Sequence, residues 1–169
     1  MPMALLMILR LLPLLLITAI VKPMRSSVVY DDNFDYFKLC LIYPTSVCFA
    51  YDDDLKFDNK KVHENICKIP DDAAPWTIHG LWPNRNSGSF PEYCSVEKNK
   101  FDLSKLKPIE KKLEKNWPNL FVKRSVSSLW KHEWEKHGVC AGTVEEVNDE
   151  VKYFNKTLSL HEKFDIFEY

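Results

Sequence analysis

The sequence predicts a single α+β domain, in which an antiparallel sheet is packed against helices. Short aromatic and β-branched runs come first along the chain, and segments with apolar residues at helical spacing follow them. The chain has 169 residues, of which 46% are hydrophobic, so it is long enough to form one domain with a substantial core. It contains no internal repeat, no low-complexity segment and no interdomain linker.

The first 21 residues are almost wholly apolar and are interrupted by Arg10 and two prolines, and basic residues follow them. This pattern predicts a secretory signal peptide over residues 1–27, which leaves residues 28–169 as the domain. The alternative is an uncleaved signal anchor, but Arg10 would be costly at the centre of a bilayer. We therefore expect a secreted or lysosomal protein without stable membrane association once the signal is removed.

Two buried strands are predicted in the first half of the chain. Residues Phe34–Cys48 form an apolar, aromatic and β-branched run, whose strand should end near Pro44. Residues Pro75–Pro83 form a second such run, bounded by prolines. The polar, acidic residues Asp52–Asp72 and the residues Asn84–Ser89 are predicted loops by composition.

Three helices are predicted in the second half. Apolar residues recur at helical spacing from Leu103 to Trp117, and Ser104 can cap the start of that helix. A second helix is predicted over Trp130–His137, stopped by Gly138. The third is predicted over Val144–Leu160.

The cysteines and the charge balance limit the classes of function. Five cysteines behind a signal peptide indicate disulfides with one thiol left over, and no CxxC spacing points to structural zinc. One glycosylation sequon begins at Asn155. The chain has 23 basic and 24 acidic residues, and this balance argues against a large basic surface. Any nucleic acid should therefore bind in a local cleft.

The run "WKHEWEKHGVCA" places four ionisable side chains on one side of the second helix. At 100° per residue, His132, Lys136, Glu133 and His137 fall within an arc of about 140°. Such an arc suits a polyanionic transition state, because it joins a cation, two imidazoles and a carboxylate. The alternative is a solvated helix face. The two flanking tryptophans, which can pack the helix down, make full exposure less favourable.

A zinc protease is a competing interpretation of this helix, because His-Glu begins the HExxH motif. Here His132 and His137 are five residues apart. Residues at that spacing diverge by about 140° on a helix and do not share a metal as i,i+4 ligands do. The zinc interpretation is therefore rejected.

The run "WTIHGLWP" places His79 in a strongly apolar strand. A histidine there needs a hydrogen-bond partner or must line a cleft, and Gly80 beside it lets a ligand or another backbone approach. Taken alone, His79 fits a satisfied core histidine. Paired with the helix above, it supplies the second imidazole that general acid–base catalysis uses.

Together, "WTIHGLWP" and "WKHEWEKHGVC" resemble the two active-site segments of the ribonuclease T2 family, which comprises secreted or lysosomal acid endoribonucleases. The resemblance extends from about residue 34 to about residue 160. It implies a ribonuclease T2-like fold and cleavage of single-stranded RNA with no metal or other cofactor. It also implies secretion or delivery to the lysosome, and we expect a monomer.

The resemblance assigns roles to five side chains. His137 would accept the proton of the ribose 2′-OH as that oxygen attacks phosphorus. His79 would protonate the departing 5′-oxygen, giving a 2′,3′-cyclic phosphate. Glu133 and Lys136 match the residues that stabilise the charged phosphorane, and His132 matches a phosphate-binding histidine.

The resemblance also implies a base site and two disulfides. Trp82 matches an aromatic wall that stacks the base 5′ of the cut, and Asn84 stands where the family often has an aspartate contacting that base. The implied disulfides are Cys48–Cys67 and Cys94–Cys140. Cys40 then remains as a buried free thiol or as a partner in an intermolecular disulfide.

The sequence departs from the family pattern in two respects. Residues 41–44 read Leu-Ile-Tyr-Pro where the family has Gln-x-Trp-Pro, and Leu129 replaces an aromatic residue. Both positions belong to the second base site of relatives, so the base preference 3′ of the cut is not transferred. Relatives also continue beyond the end of this sequence, which predicts a sheet lacking C-terminal strands. Two alternatives to an active endoribonuclease remain. One is a protein that binds RNA or a receptor without turnover, and the other is an unstable fragment of a longer protein.

Overall fold

The computed structural model describes residues 32–52 and 67–164. In chain order its main elements are β1 (Tyr36–Ile42), α1 (Pro44–Asp52), β2 (Thr77–Asn84), α2 (Glu110–Asn116), α3 (Ser128–Lys136) and α4 (Glu150–Lys163). Three 3₁₀-helices accompany them, at Leu103–Ile109, Gly138–Ala141 and Glu145–Val147. The α+β class is confirmed. The predicted signal peptide and residues 53–66 of the predicted acidic loop lie outside the described residues.

The sheet is an antiparallel pair of β1 and β2, and it carries an irregularity at His79. Cys40 pairs with Gly80 and the next residue of β1 pairs with Ile78, so His79 has no direct partner on β1. One extra residue in a strand shifts the alternation of its side chains by one position. Ile78 and Leu81 therefore both reach the core, although they are three residues apart.

The prediction that the first strand is buried was wrong. Tyr36 and Lys38 are exposed, and the other residues of β1 are only half-buried. Within residues 32–52 and 67–164, β1 has a neighbour on one side alone, so part of its surface faces solvent. The strand ends at Ile42, and Pro44 begins α1, where proline lacks only an N–H that the helix would not use.

The core lies between the sheet and the helices and is built around fully buried aromatic side chains. Trp117 packs against Tyr153 and Phe154, with ring centroids 6.4 and 5.2 Å away. Its indole Nε1 donates a hydrogen bond of 2.9 Å to the carbonyl of His79. The Trp130 indole donates in turn to the Trp117 carbonyl at 2.7 Å. These bonds satisfy buried polar atoms and hold β2 against the helices.

The starts of all three predicted helices differ from the predictions, and α3 begins at Ser128 instead of Trp130. The segment after Leu103 begins as a 3₁₀-helix, and Asp102 rather than Ser104 caps it, since the Asp102 carboxylate accepts from the Ser104 N–H at 3.0 Å. The last helix starts at Glu150 and not at Val144, because Asp149 accepts from the Lys152 N–H at 2.8 Å. An aspartate in extended conformation favours a helix start directly after it.

Two disulfides fasten the described segments. Cys48 of α1 is bonded to Cys67, and Cys94 is bonded to Cys140 just after α3, as the family resemblance implies. Cys40 is half-buried and is not part of either disulfide. Among the described helices, none is both long enough and apolar enough to span a bilayer.

Candidate active site

The second strand and the end of α3 bring the predicted ionisable residues together. His79 Nε2 lies 3.8 Å from the Glu133 carboxylate. The ring centroids of His79 and His137 each lie 5.1 Å from the ring of Trp82. The structure therefore places two imidazoles and a carboxylate around one tryptophan, as the two sequence runs suggested.

Glu133 is the most enclosed of these groups, with only 1% of its surface exposed. Its Oε2 accepts a hydrogen bond of 2.7 Å from the Trp82 indole N–H. Its Oε1 faces His79 and has no hydrogen-bond partner among the described residues. Burial raises the pKa of the Glu133 carboxyl to about 7, against the opposing effects of the Trp82 hydrogen bond and the Lys136 charge.

Gly80 makes this arrangement possible. A Cβ at that position would collide with the Glu133 carboxylate and with the indole nitrogen of Trp82. The sequence run "HGLW" thus needs glycine for close approach, but the groups that approach are side chains and not the ligand or backbone that the sequence suggested. Gly138 serves in the same way, since a Cβ there would meet the Trp134 ring. Its backbone is not left-handed, so it leaves room for a ring instead of forming a left-handed helix cap.

His137 occupies the end of α3 and is nearly buried, at 5% exposed. Its ring is stacked on Trp82 with an interplanar angle of 28°. Burial, together with the smaller effects of the charges of Lys136, His132 and His79, lowers the pKa of His137 to about 3. Its Nδ1 is buried without a partner in the part of the chain that the structure describes. The ring is therefore neutral and able to accept a proton at mildly acidic pH.

His79 and His132 are more open to solvent. The His79 side chain is 42% exposed, and its pKa is lowered by partial burial and by the charges of His132 and Lys136. The pKa of His132 is lowered by desolvation, by Lys136 and by Arg124. The centroid of the His132 ring lies 6.5 Å from that of His137. A fully solvated helix face is thus excluded for Glu133 and His137, whereas His132 does face solvent.

Lys136 stands at the rim of the site, where its ammonium group lies 3.6 Å from the carboxylate of Glu92. Phe90 precedes Glu92 in the same loop, and its ring centroid lies 6.4 Å from that of His137. Sequence reasoning missed both loop residues. A signal for Phe90 was present, since it is an aromatic residue within a polar loop, but Glu92 has no distinguishing feature in the sequence.

Asn84 lies at the end of β2, where it is buried. Its side-chain amide donates a hydrogen bond of 2.9 Å to the carbonyl of Trp82. The asparagine therefore holds the end of the strand that carries Trp82. In this position Asn84 contacts the backbone of Trp82.

A cavity of about 340 Å³ opens beside the imidazoles. His79 and His132 lie at one side of it, and Leu129 and Ile42 also line it. Leu129, one of the positions at which the sequence departs from the family pattern, thus borders this cavity. This volume lies within the range of small-molecule binding sites, so the cavity can accommodate a planar base.

The arrangement has the parts for proton transfer on an anionic substrate. One imidazole is neutral, a second is accessible to solvent, and a lysine and a buried carboxyl flank them. Within residues 32–52 and 67–164, no three His, Cys, Asp or Glu side chains are placed to hold a metal ion. The side chains present are those that histidine-based acid–base catalysis uses.

Comparisons with known proteins agree with this class. A profile of the Ribonuclease T2 family matches residues 34–169. Ribonuclease T2 protein rnst-2 of Caenorhabditis elegans is 38% identical over 135 residues, which are 80% of this chain and 46% of the relative. Extracellular ribonuclease LE of Solanum lycopersicum is 34% identical over 157 residues, 90% of this chain and 61% of the relative.

A solved structure, RNase NT in complex with 5′-AMP, superimposes with a TM-score of 0.61 and 30% identity. The match covers 80% of this chain and 60% of that one. The chain belongs to the ribonuclease T2 family. It spans only part of the curated relatives that it matches, 46% of the Caenorhabditis elegans protein and 61% of the Solanum lycopersicum protein.

Proposed function

We propose that this protein is an endoribonuclease that cleaves single-stranded RNA by transphosphorylation, without a metal ion. The observation that supports the proposal most is that the rings of His79 and His137 each lie 5.1 Å from the ring of Trp82, whose indole N–H donates to Glu133. Membership of the family supports the same reaction class. The substrate would lie in the cleft that these side chains line.

In the proposed reaction His137 is the base and His79 is the acid. Neutral His137 takes the proton of the ribose 2′-OH, and the O2′ atom forms a bond to phosphorus. The bond from phosphorus to the 5′-oxygen of the next nucleotide breaks, and protonated His79 donates a proton to that oxygen. The products are a 2′,3′-cyclic phosphate and a free 5′-OH. DNA lacks the 2′-OH and cannot react in this way.

Lys136 and Glu133 act on the phosphoryl oxygens in this scheme. The Lys136 ammonium group offsets the added negative charge of the phosphorane. An ionised carboxylate would repel that charge, but a buried carboxyl whose pKa is about 7 is neutral at mildly acidic pH. Neutral Glu133 can donate its O–H to a phosphoryl oxygen while Trp82 donates to its other oxygen. His132 would bind the same phosphate from the exposed side.

The pKa shifts define the pH window of activity. His137 must be neutral, which holds above a pKa of about 3. His79 must be protonated, which holds below a pKa that is lowered from 6.5. Glu133 must carry its proton, which holds below about 7. We therefore expect activity to be highest at acidic pH, above about pH 3 and below 6.5, and to fall towards neutrality as His79 loses its proton.

The bases of the substrate would occupy two places. Trp82 and the exposed ring of Phe90 both lie against His137, so the base 5′ of the cut would stack there. The base 3′ of the cut would enter the cavity bordered by His79, His132 and Leu129. Because that cavity is lined largely by apolar side chains, stacking rather than hydrogen bonding should determine its preference.

We further propose that the protein is secreted or lysosomal and carries a glycan at Asn155. The apolar residues 1–21 and the two disulfides support an oxidising compartment. The tomato relative is named extracellular. Asn155 lies exposed on α4, where a glycan would project into solvent.

The proposal is tested by incubating purified protein, expressed without residues 1–27, with single-stranded RNA in EDTA at mildly acidic pH. Cleavage that persists in EDTA and depends on added protein is expected. RNA that is bound but left intact would refute the proposal. It would favour a binding protein without turnover.

Changing Glu133 tests the role of its proton. Glu133→Gln keeps a hydrogen-bond donor in place of the carboxyl O–H, so we expect a rate within about tenfold of wild type at pH 5. Glu133→Ala removes the donor, and we expect a loss of about 10²-fold or more. Initial rates on a dinucleotide across the pH range check this. Equal losses in both variants would contradict the neutral-donor role.

A further inference from the structure

The loop that carries Glu92 is fixed to the end of the catalytic helix. The N–H of Tyr93 donates a 2.8 Å hydrogen bond to the carbonyl of Lys136. The next residue, Cys94, is bonded to Cys140. Tyr93 and Ser95 both have positive φ angles, 55° and 51°, which side chains other than glycine adopt only where their surroundings impose them. The segment beside Glu92 is therefore held in place.

The carboxylate of Glu92 is thus presented to a cation of the proposed active site. Its Oε2 lies 3.6 Å from the Lys136 ammonium group. Lys136 directly precedes His137 and lies one turn after His132 on α3, and its charge lowers the pKa values of His79, His132 and His137. Lys136 is 27% exposed and Glu92 is 46% exposed, which leaves room for a phosphate to approach.

A phosphate that pairs with Lys136 therefore meets the negative charge of Glu92. A phosphodiester inside an RNA chain carries one negative charge. A terminal phosphate monoester carries about 1.5 to 2 negative charges near neutrality, since its second pKa is about 6. The repulsion from a fixed carboxylate grows with the charge of the phosphate. The contact thus penalises the monoester more than the diester.

We propose that Glu92 is a specificity-determining residue that, near neutral pH, favours internal phosphodiesters over terminal phosphate monoesters. The inference rests on the proposed function of the same site. Glu92 acts by competing with the phosphate for Lys136, and it takes no part in bond making or breaking.

Binding, measured without turnover, tests this proposal at pH 7 and low salt. The probes are 3′-adenosine monophosphate and a dinucleoside monophosphate whose first sugar is 2′-deoxy. Glu92→Gln is expected to strengthen binding of the monoester by about two- to fivefold, because it removes a partly exposed charge. Binding of the diester should strengthen by less than about twofold. Glu97→Gln is the matched control, since Glu97 pairs with Lys100 in the same loop at 3.9 Å.

A second variant separates competition from a merely structural effect. In the background of Lys136→Gln, the change at Glu92 should no longer discriminate between the two probes, because the shared cation is gone. Weaker monoester binding by Glu92→Gln would overturn the proposal and would show that Glu92 orients Lys136, and unchanged binding would overturn it as well. Failure of both the wild-type protein and Glu92→Gln to bind the monoester would also overturn it.

The two proposals fail separately. If the protein cleaves no RNA but Glu92→Gln still tightens the monoester selectively, the nuclease function is wrong and the phosphate discrimination stands. If RNA is cleaved and the two probes respond equally, the function stands and the role of Glu92 is wrong.

Discussion

Replacing His137 with alanine is expected to reduce RNA cleavage by about 10²- to 10⁴-fold, the contribution of a positioned general base. The ring is neutral at the working pH, because burial and nearby positive charges hold its pKa near 3, and among the described residues it is the imidazole that stacks on Trp82. His79→Ala should cause a loss of the same order, because the 5′-oxygen would depart without a proton. Initial rates on single-stranded RNA at pH 5 provide the measurement.

The control for both variants is His161→Ala. His161 lies on α4 and its Nε2 is 2.8 Å from the carbonyl of Trp76, away from the proposed site. That variant should keep most of the activity. Full activity in either His137→Ala or His79→Ala would end the assignment of the acid–base pair.

Replacing Trp117 with alanine is expected to lower the free energy of unfolding by about 3–5 kcal/mol. The side chain is fully buried, packs on two aromatic rings of α4 and donates a hydrogen bond to the His79 carbonyl. Its loss leaves a large cavity and an unsatisfied carbonyl on the strand that carries His79. Since domains of this size are stable by only about 5–15 kcal/mol, much of the stability would disappear.

Urea denaturation checks this prediction, with Trp76→Ala as the matched control. Trp76 is a tryptophan that stays half-exposed and contacts Tyr43 at the surface, so its removal should cost clearly less. Trp117→Phe should fall between the two, because it keeps most of the packing and loses the hydrogen bond. Equal losses for Trp117→Ala and Trp76→Ala would contradict the central place of Trp117 in the core.

Local patterns were enough to predict the elements that carry the site. The run Trp130–His137 predicted a helix with its tryptophans packed down, and the structure places Trp130 and Trp134 in the core. The strand around His79 followed from its apolar and aromatic residues. Periodicity reveals such features because each depends on residues a few positions apart.

Features that depend on distant contacts could not be predicted from the sequence. The irregular pairing at His79 arises from the register between two strands 40 residues apart, which no local pattern encodes. The hydrogen bond from Trp82 to Glu133 joins residues separated by 51 positions. The half-exposed face of β1 reflects how many neighbours the strand has, and its composition alone suggested burial.

The surroundings of the two helix histidines could be determined only from the structure. On the helical wheel, His132 and His137 are equivalent members of one arc. In the folded chain His137 is buried against Trp82, whereas His132 faces solvent. Only their surroundings separate a ring that is neutral at acidic pH from one that titrates nearer its usual value.

One measurement tests the central claim most directly. A short single-stranded RNA and a copy with one 2′-deoxy sugar are incubated with the protein in EDTA, and the ends of the products are identified by mass spectrometry. The account predicts 2′,3′-cyclic phosphate ends in the RNA and no cut after the 2′-deoxy sugar. Cleavage after that sugar, or 5′-phosphate ends, would contradict it.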